Sequence, residues 1–270
     1  MKGWDMFTPG KIPSIGERST HNWIGTDTEE NYKNRGNKRY STTDISYELN
    51  SNGYRCPEFD IGVKQQPLFI GCSVTFGVGL KTDEIWTHHI YEWLRKKYPR
   101  NVSQYNNLSN GGSGWDYVAR TLMQVVPILQ PSIVIAYMPT ITRRELFWGR
   151  NNIGFQWVPN TGQLVDTPLQ YIERLATQDQ YTFYRTMMNL RMIEFVCSSS
   201  NTKLIWTTWD YEAEKVLKLY PPQSGYFDSL RSSVGSRVPD FARDGLHPGP
   251  NSHLNITDDF KKALEHVQIY

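Results

Sequence analysis

The stretch Leu68–Leu80 reads LFIGCSVTFGVGL, and it sets the terms for the rest of the chain. Leu68, Phe69 and Ile70 follow one another without an alternating polar residue, which suits a strand buried on both faces. The run stops at Gly71 and gives way to a small hydroxyl residue, Ser73, followed by Gly77 and Gly79. Glycine tolerates backbone conformations closed to other residues, so a tight turn is predicted that leaves Ser73 exposed at the carboxyl end of the strand. A buried strand followed by an ordinary loop has the same local pattern, and the remainder of the chain must decide between the two.

Near the other end stands Asp244-Gly245-Leu246-His247-Pro248. Together the two blocks resemble the SGNH (GDSL-like) hydrolases. Gly71-Cys72-Ser73-Val74-Thr75-Phe76-Gly77 stands where that family has Gly-Asp-Ser followed by a Thr or similar, an aromatic and a Gly. The family's last block, Asp-x-x-His-Pro, is matched in full from Asp244 to Pro248. Order and separation make the pair more specific than either block alone. The resemblance covers residues 67–270 and implies a three-layer α/β/α sandwich around a mainly parallel, flavodoxin-like sheet of about five strands. It implies a serine esterase, with Ser73 as nucleophile, His247 as base and Asp244 as the acid that holds the imidazole. Cys72 replaces the family's Asp, which supports the turn. No basic neighbour in sequence activates that thiol, so Ser73 is the better nucleophile.

An active serine also needs donors for the charge that develops on the carbonyl oxygen. The N–H of Ser73 is one candidate. The second family block resembles Asn107-Leu108-Ser109-Asn110-Gly111-Gly112, which implies Gly112 as another. In the third block the chain departs from the family: Met138-Pro139-Thr140-Ile141-Thr142-Arg143 has Ile141 at or near the usual asparagine. Thr140 or Thr142 can supply a hydroxyl there, and Arg143 a charge. Residues 146–168 read as a long insertion carrying Trp148 and Trp157. Those aromatics, with Arg143, are candidate substrate contacts, since sugar rings stack on flat side chains; loop aromatics also serve to pin a loop to the body.

Strands alternate with helices after residue 67: helices are expected over 83–98, 115–129, 169–197 and 251–268, and strands over 101–108, 133–137 and 203–207. Residues 1–66 read as an arm with a few short strands before the catalytic domain of residues 67–270. Within the arm, Tyr47–Asp60 is similar to a segment that packs against the catalytic domain in some SGNH-like proteins. His88, His89 and His253 are expected to be structural, and Asp210 is the weaker rival of Asp244 for the acid.

With 29 Lys and Arg against 27 Asp and Glu, there is no electrostatic case for nucleic acid or an anionic membrane as partner. The three cysteines lie far apart, which predicts free thiols and no metal site; no cofactor is expected. Without an apolar leader core or a run of roughly 18 apolar residues, the expectation is a soluble, cytoplasmic protein. The expected partner is a small-molecule or carbohydrate ester, an O-acetylated sugar foremost. A noncatalytic carbohydrate-binding or assembly protein, or an acyltransferase with the same triad, are the competing readings, and oligomeric state is left open.

Overall fold

The computed structural model describes residues 10–148, 153–157, 179–228 and 240–270. Its centre is a parallel sheet of four strands: β3 (Pro67–Gly71), β4 (Asn106–Asn107), β5 (Ile133–Met138) and β8 (Lys203–Thr208). Their spatial order is β4-β3-β5-β8, so the chain starts inside the sheet, steps to one edge and returns past its start. That is the doubly wound, flavodoxin-like order, with four strands among the described residues against the five expected.

Side chains alternate across this sheet as strand geometry requires. Leu68, Ile70, Val134, Ala136, Leu204 and Trp206 face one core, while Phe69, Ile133, Ile135, Tyr137 and Ile205 face the other. The first core is closed by α4 (Trp115–Leu129), α5 (Asp179–Ser199) and α6 (Tyr211–Leu219). The second is closed by α3 (Trp86–Lys97) and α7 (Pro250–Glu265). Two faces covered by helices make three layers. Trp86 of α3 stacks on Phe260 of α7 with ring centroids 4.5 Å apart, an aromatic pair sealing that face.

Some boundaries differ from expectation for identifiable reasons. Residues 82–84 form a separate 3-10 turn, and α3 begins only at Trp86, whose N–H donates to His253 Nδ1 at 3.1 Å. The strand expected over 101–108 shortens to two residues because Gln66 Oε1 accepts from the N–H groups of Ser103 and Gln104. The insertion expected after β5 contains an antiparallel hairpin, β6 (Arg144–Trp148) with β7 (Ile153–Trp157). Residues 158–178, including the first part of the long helix expected from 169, lie outside the described residues.

The arm is more ordered than its composition suggests. β1 (Ser19–His21) pairs antiparallel with β2 (Tyr47–Leu49), and between them lies a helix, α1 (Glu29–Arg35). Thr28 caps that helix by accepting from the Asn31 N–H, Glu29 and Glu30 occupy its first turn, and Lys33 and Arg35 its last. All three features favour a helix too short to show apolar periodicity. Arg55, 2% exposed, crosses to the body and donates to the carbonyls of Gly77 and Leu80.

Candidate active site

Strand β3 ends at Gly71, and the chain turns into a one-turn helix, α2 (Ser73–Phe76), with Cys72 at its N-cap. Gly71 must lack a side chain: a Cβ there would lie 2.2 Å from Thr75 Oγ1 and 2.7 Å from the Tyr137 carbonyl oxygen. Ser73 is 8% exposed, contrary to the open position expected, because His247 of a C-terminal loop lies against its hydroxyl.

That C-terminal loop folds on itself through Ala242 N–H to His247 O at 2.9 Å and Gly245 N–H to Ala242 O at 3.0 Å. It is tied to the serine turn by the Arg243 N–H, which donates to Gly79 O at 2.8 Å. The loop presents His247 so that Nε2 lies 2.8 Å from Ser73 Oγ, while Nδ1 lies 2.7 Å from Asp244 Oδ2. Asp244 is fully buried and its oxygens are saturated. Oδ1 accepts from the N–H groups of Leu246 and His247, each at 3.0 Å; Oδ2 accepts from the Thr26 hydroxyl at 2.7 Å as well as from His247. Burial works against ionisation of this carboxyl. The hydrogen bonds and charge of His247, with the Thr26 hydroxyl, outweigh burial and hold the pKa down at about 2. An ionised carboxylate fixed at Nδ1 selects the tautomer that leaves Nε2 free to accept a proton from Ser73.

The loop after β4 lies beside the serine turn, since Ser113 Oγ donates to Gly71 O at 2.7 Å. Among the described residues, the N–H groups of Ser73 and Gly112 have no hydrogen-bond acceptor. The loop after β5 is pinned from two sides. Trp115 Nε1 donates to Pro139 O at 2.8 Å, and the Ile141 N–H donates to Asp210 Oδ2 at 2.6 Å. The Ile141 side chain is buried in the core, so neither its N–H nor its side chain serves the serine turn. Thr140 and Thr142 are partly buried, with their hydroxyls 3.5 Å apart. Arg143 lies 5.6 Å from the Trp209 ring, and its Nε and Nη1 are buried without a hydrogen-bond partner. In the β6–β7 register Trp148 pairs with Ile153 and Trp157 with Arg144; their side chains lie outside the described residues.

Asp210 instead caps α6 through the Glu212 N–H and braces the Ile141 loop; burial pushes its carboxyl pKa up against those bonds. His253 is 1% exposed, and burial holds its pKa down at about 3 while Nδ1 accepts from Trp86. Among the described residues, Cys56, Cys72 and Cys197 are free thiols. Within the same residues, no group of three or more His, Cys, Asp or Glu is placed to hold a metal ion, and no helix is long and apolar enough to cross a membrane. One residue at the site has no local sequence signal at all: Thr26, which reaches Asp244 from 218 positions away.

No protein-family model matches the chain, and no curated protein does. Solved structures do. The chain is similar to TesA at 13% identity, over 74% of this chain and 98% of that one, with a TM-score of 0.48. It is also similar to the acetylxylan esterase Axe2 of Geobacillus stearothermophilus, in a catalytic mutant, at 14% identity over 76% and 95% of the two chains and a TM-score of 0.46. A GDSL-like lipase of Bacteroides thetaiotaomicron is similar at 16% identity, over 74% of this chain and 88% of that one, with a TM-score of 0.42.

Proposed function

We propose that this chain is an SGNH-type serine esterase that hydrolyses a small acyl ester. One observation carries the reading: the unbroken relay from Ser73 Oγ to His247 Nε2 at 2.8 Å and from His247 Nδ1 to Asp244 Oδ2 at 2.7 Å. A serine hydroxyl is a weak nucleophile near neutrality, and a base within hydrogen-bond reach, itself oriented by a carboxylate, is what it lacks.

Ser73 Oγ attacks the ester carbonyl carbon as its proton passes to His247 Nε2. Asp244 steadies the imidazolium, and the oxyanion faces the N–H groups of Ser73 and Gly112. Thr140 or Thr142, both partly buried, is the third donor in place of the family's asparagine. Collapse breaks the bond to the alcohol, which leaves with the proton from His247. Water, deprotonated by the same imidazole, then attacks the acyl-serine; the bond from the acyl carbon to Ser73 Oγ breaks, Oγ takes the proton back from His247 Nε2, and the carboxylic acid is released. The substrate class to try first is an O-acetylated carbohydrate. That choice rests on the family resemblance and on the aromatic residues of the stretch 146–168.

The deciding measurement is release of the alcohol from a small chromogenic acetyl ester by the wild-type chain and by Ser73→Ala, each checked for folding by circular dichroism. Turnover that Ser73→Ala abolishes supports the assignment and justifies a screen of acetylated sugars. Equal rates in the two folded proteins would remove Ser73 from the chemistry.

A further inference from the structure

The described part of the arm does more than lie against the body. Thr28 starts α1, and the turn before it places Thr26 over the C-terminal loop; the Thr26 carbonyl accepts from Asn31 Nδ2 at 2.6 Å, which fixes that turn to the helix. The next residue, Asp27, is fully buried and accepts from Arg243 Nε and from Nη2, the latter at 2.6 Å. Arg243 directly precedes Asp244, lies 4.0 Å over the Trp23 ring, and also donates to the Thr42 carbonyl at 3.1 Å. Tyr47 closes the circuit: its hydroxyl donates to Asp27 at 2.5 Å and accepts from the Gly79 N–H at 2.8 Å. Three segments distant in sequence, residues 22–47, 73–80 and 241–248, are thereby locked together by buried polar bonds.

At the centre of this clasp the Thr26 hydroxyl donates to Asp244 Oδ2, the same oxygen that receives His247 Nδ1, and lies 3.3 Å from Nδ1 itself. A carboxylate has room for about four donors. Asp244 has four, and three of them come from its own loop. Two of those three hold Oδ1 and the third is the imidazole itself at Oδ2, so that the rotation of the carboxyl plane, and with it the aim of His247, is set by the fourth.

We propose that the N-terminal arm is part of the active centre and that Thr26 is a positioning residue, fixing Asp244 and through it the imidazole that serves Ser73. This inference rests on the esterase reading. Valine in place of threonine keeps the branched shape and removes only the donor, whereas serine keeps the donor.

The test compares wild type, Ser73→Ala, Thr26→Val and Thr26→Ser on the same chromogenic acetyl ester, with thermal unfolding recorded for each. The hydrogen bond is made to a buried charge, so Thr26→Val is expected to lower kcat on the order of 10- to 100-fold with KM changed by less than about 2-fold. Thr26→Ser is expected to stay within about 5-fold of wild type, since the hydroxyl survives. A folded Thr26→Val with wild-type kcat would overturn the positioning role while Ser73→Ala still reports on the esterase reading. Should Ser73→Ala and wild type turn over equally, the esterase reading fails by itself. The role of Thr26 is then read from the His247 ring-proton resonance, which Thr26→Val should shift and Thr26→Ser should leave in place. An unshifted resonance in Thr26→Val also overturns it.

Discussion

The buried pair Asp27–Arg243 permits the most exacting test of the clasp. Both side chains are wholly inaccessible to solvent, and Arg243 spends its guanidinium on both Asp27 oxygens, the Thr42 carbonyl and the Asn22 carbonyl. Asp27→Ala leaves that cation buried with carbonyl partners only. Removing one member of a buried pair costs about 3–5 kcal/mol, mostly from the charge left behind. Unfolding entropy of about 2.1 cal/mol/K per residue amounts to about 0.57 kcal/mol/K over 270 residues, so a loss of about 4 kcal/mol lowers Tm by about 7 °C. The assay is thermal unfolding by circular dichroism for wild type, Asp27→Ala, Arg243→Met and the double variant. Because the penalty lies in the orphaned charge, the double variant should lose less than the two single losses added together. A Tm for Asp27→Ala within about 2 °C of wild type, or a double variant whose loss equals that total, would refute the account of a buried, mutually dependent pair.

Two further outcomes are expected. His253 stays neutral in the fold down to about pH 3, whereas in the unfolded chain it takes a proton near its ordinary value of 6.5, so stability present above that value is lost as pH falls toward 3. The slope from this residue is about 1.4 kcal/mol per pH unit between those limits, and denaturant titrations from pH 7 to 4 should show His253→Gln with a slope shallower by that amount; equal slopes would exclude the residue. At Gly245, φ is +68° and an added Cβ would lie 2.2 Å from the Arg35 carbonyl oxygen, so Gly245→Ala is both strained and blocked. It should lose about 2 kcal/mol or more of stability and separate α1 from the histidine loop, which thermal unfolding and limited proteolysis of the arm would detect.

Much of the sheet was legible because its strands are fully apolar and short. Leu68–Ile70 and Ile133–Tyr137 have no other use than the middle of a two-sided sheet, and Trp115–Leu129 has a single apolar face. Asp244 and His247 were legible as a pair because three-residue spacing lets one loop carry both. The position of β4 was not, because a two-residue strand is defined by side-chain bonds from Gln66 and not by its own periodicity. Helix α1 was missed although Thr28, Glu29 and Glu30 form a recognisable start, since its seven residues bury none of their own side chains. Thr26 lay beyond any local pattern. Its role depends on where Arg243 draws the arm, and the partner of a buried ion pair is not encoded in the neighbourhood of either member.

The distance in sequence between the clasped residues also governs the order in which the molecule can assemble. Thr26 and Asp244 stand 218 positions apart, and Asp27 and Arg243 216, so the arm cannot close until the intervening sheet has brought the two segments within reach. Closing so long a loop early is entropically unfavourable, and contacts of such high sequence separation are made late. In refolding, helix and sheet signals should therefore return ahead of a competent serine centre, and a partly folded chain would carry its nucleophile without an aimed base. On the esterase reading, a chain put together in this sequence acquires its reactivity at the end of folding.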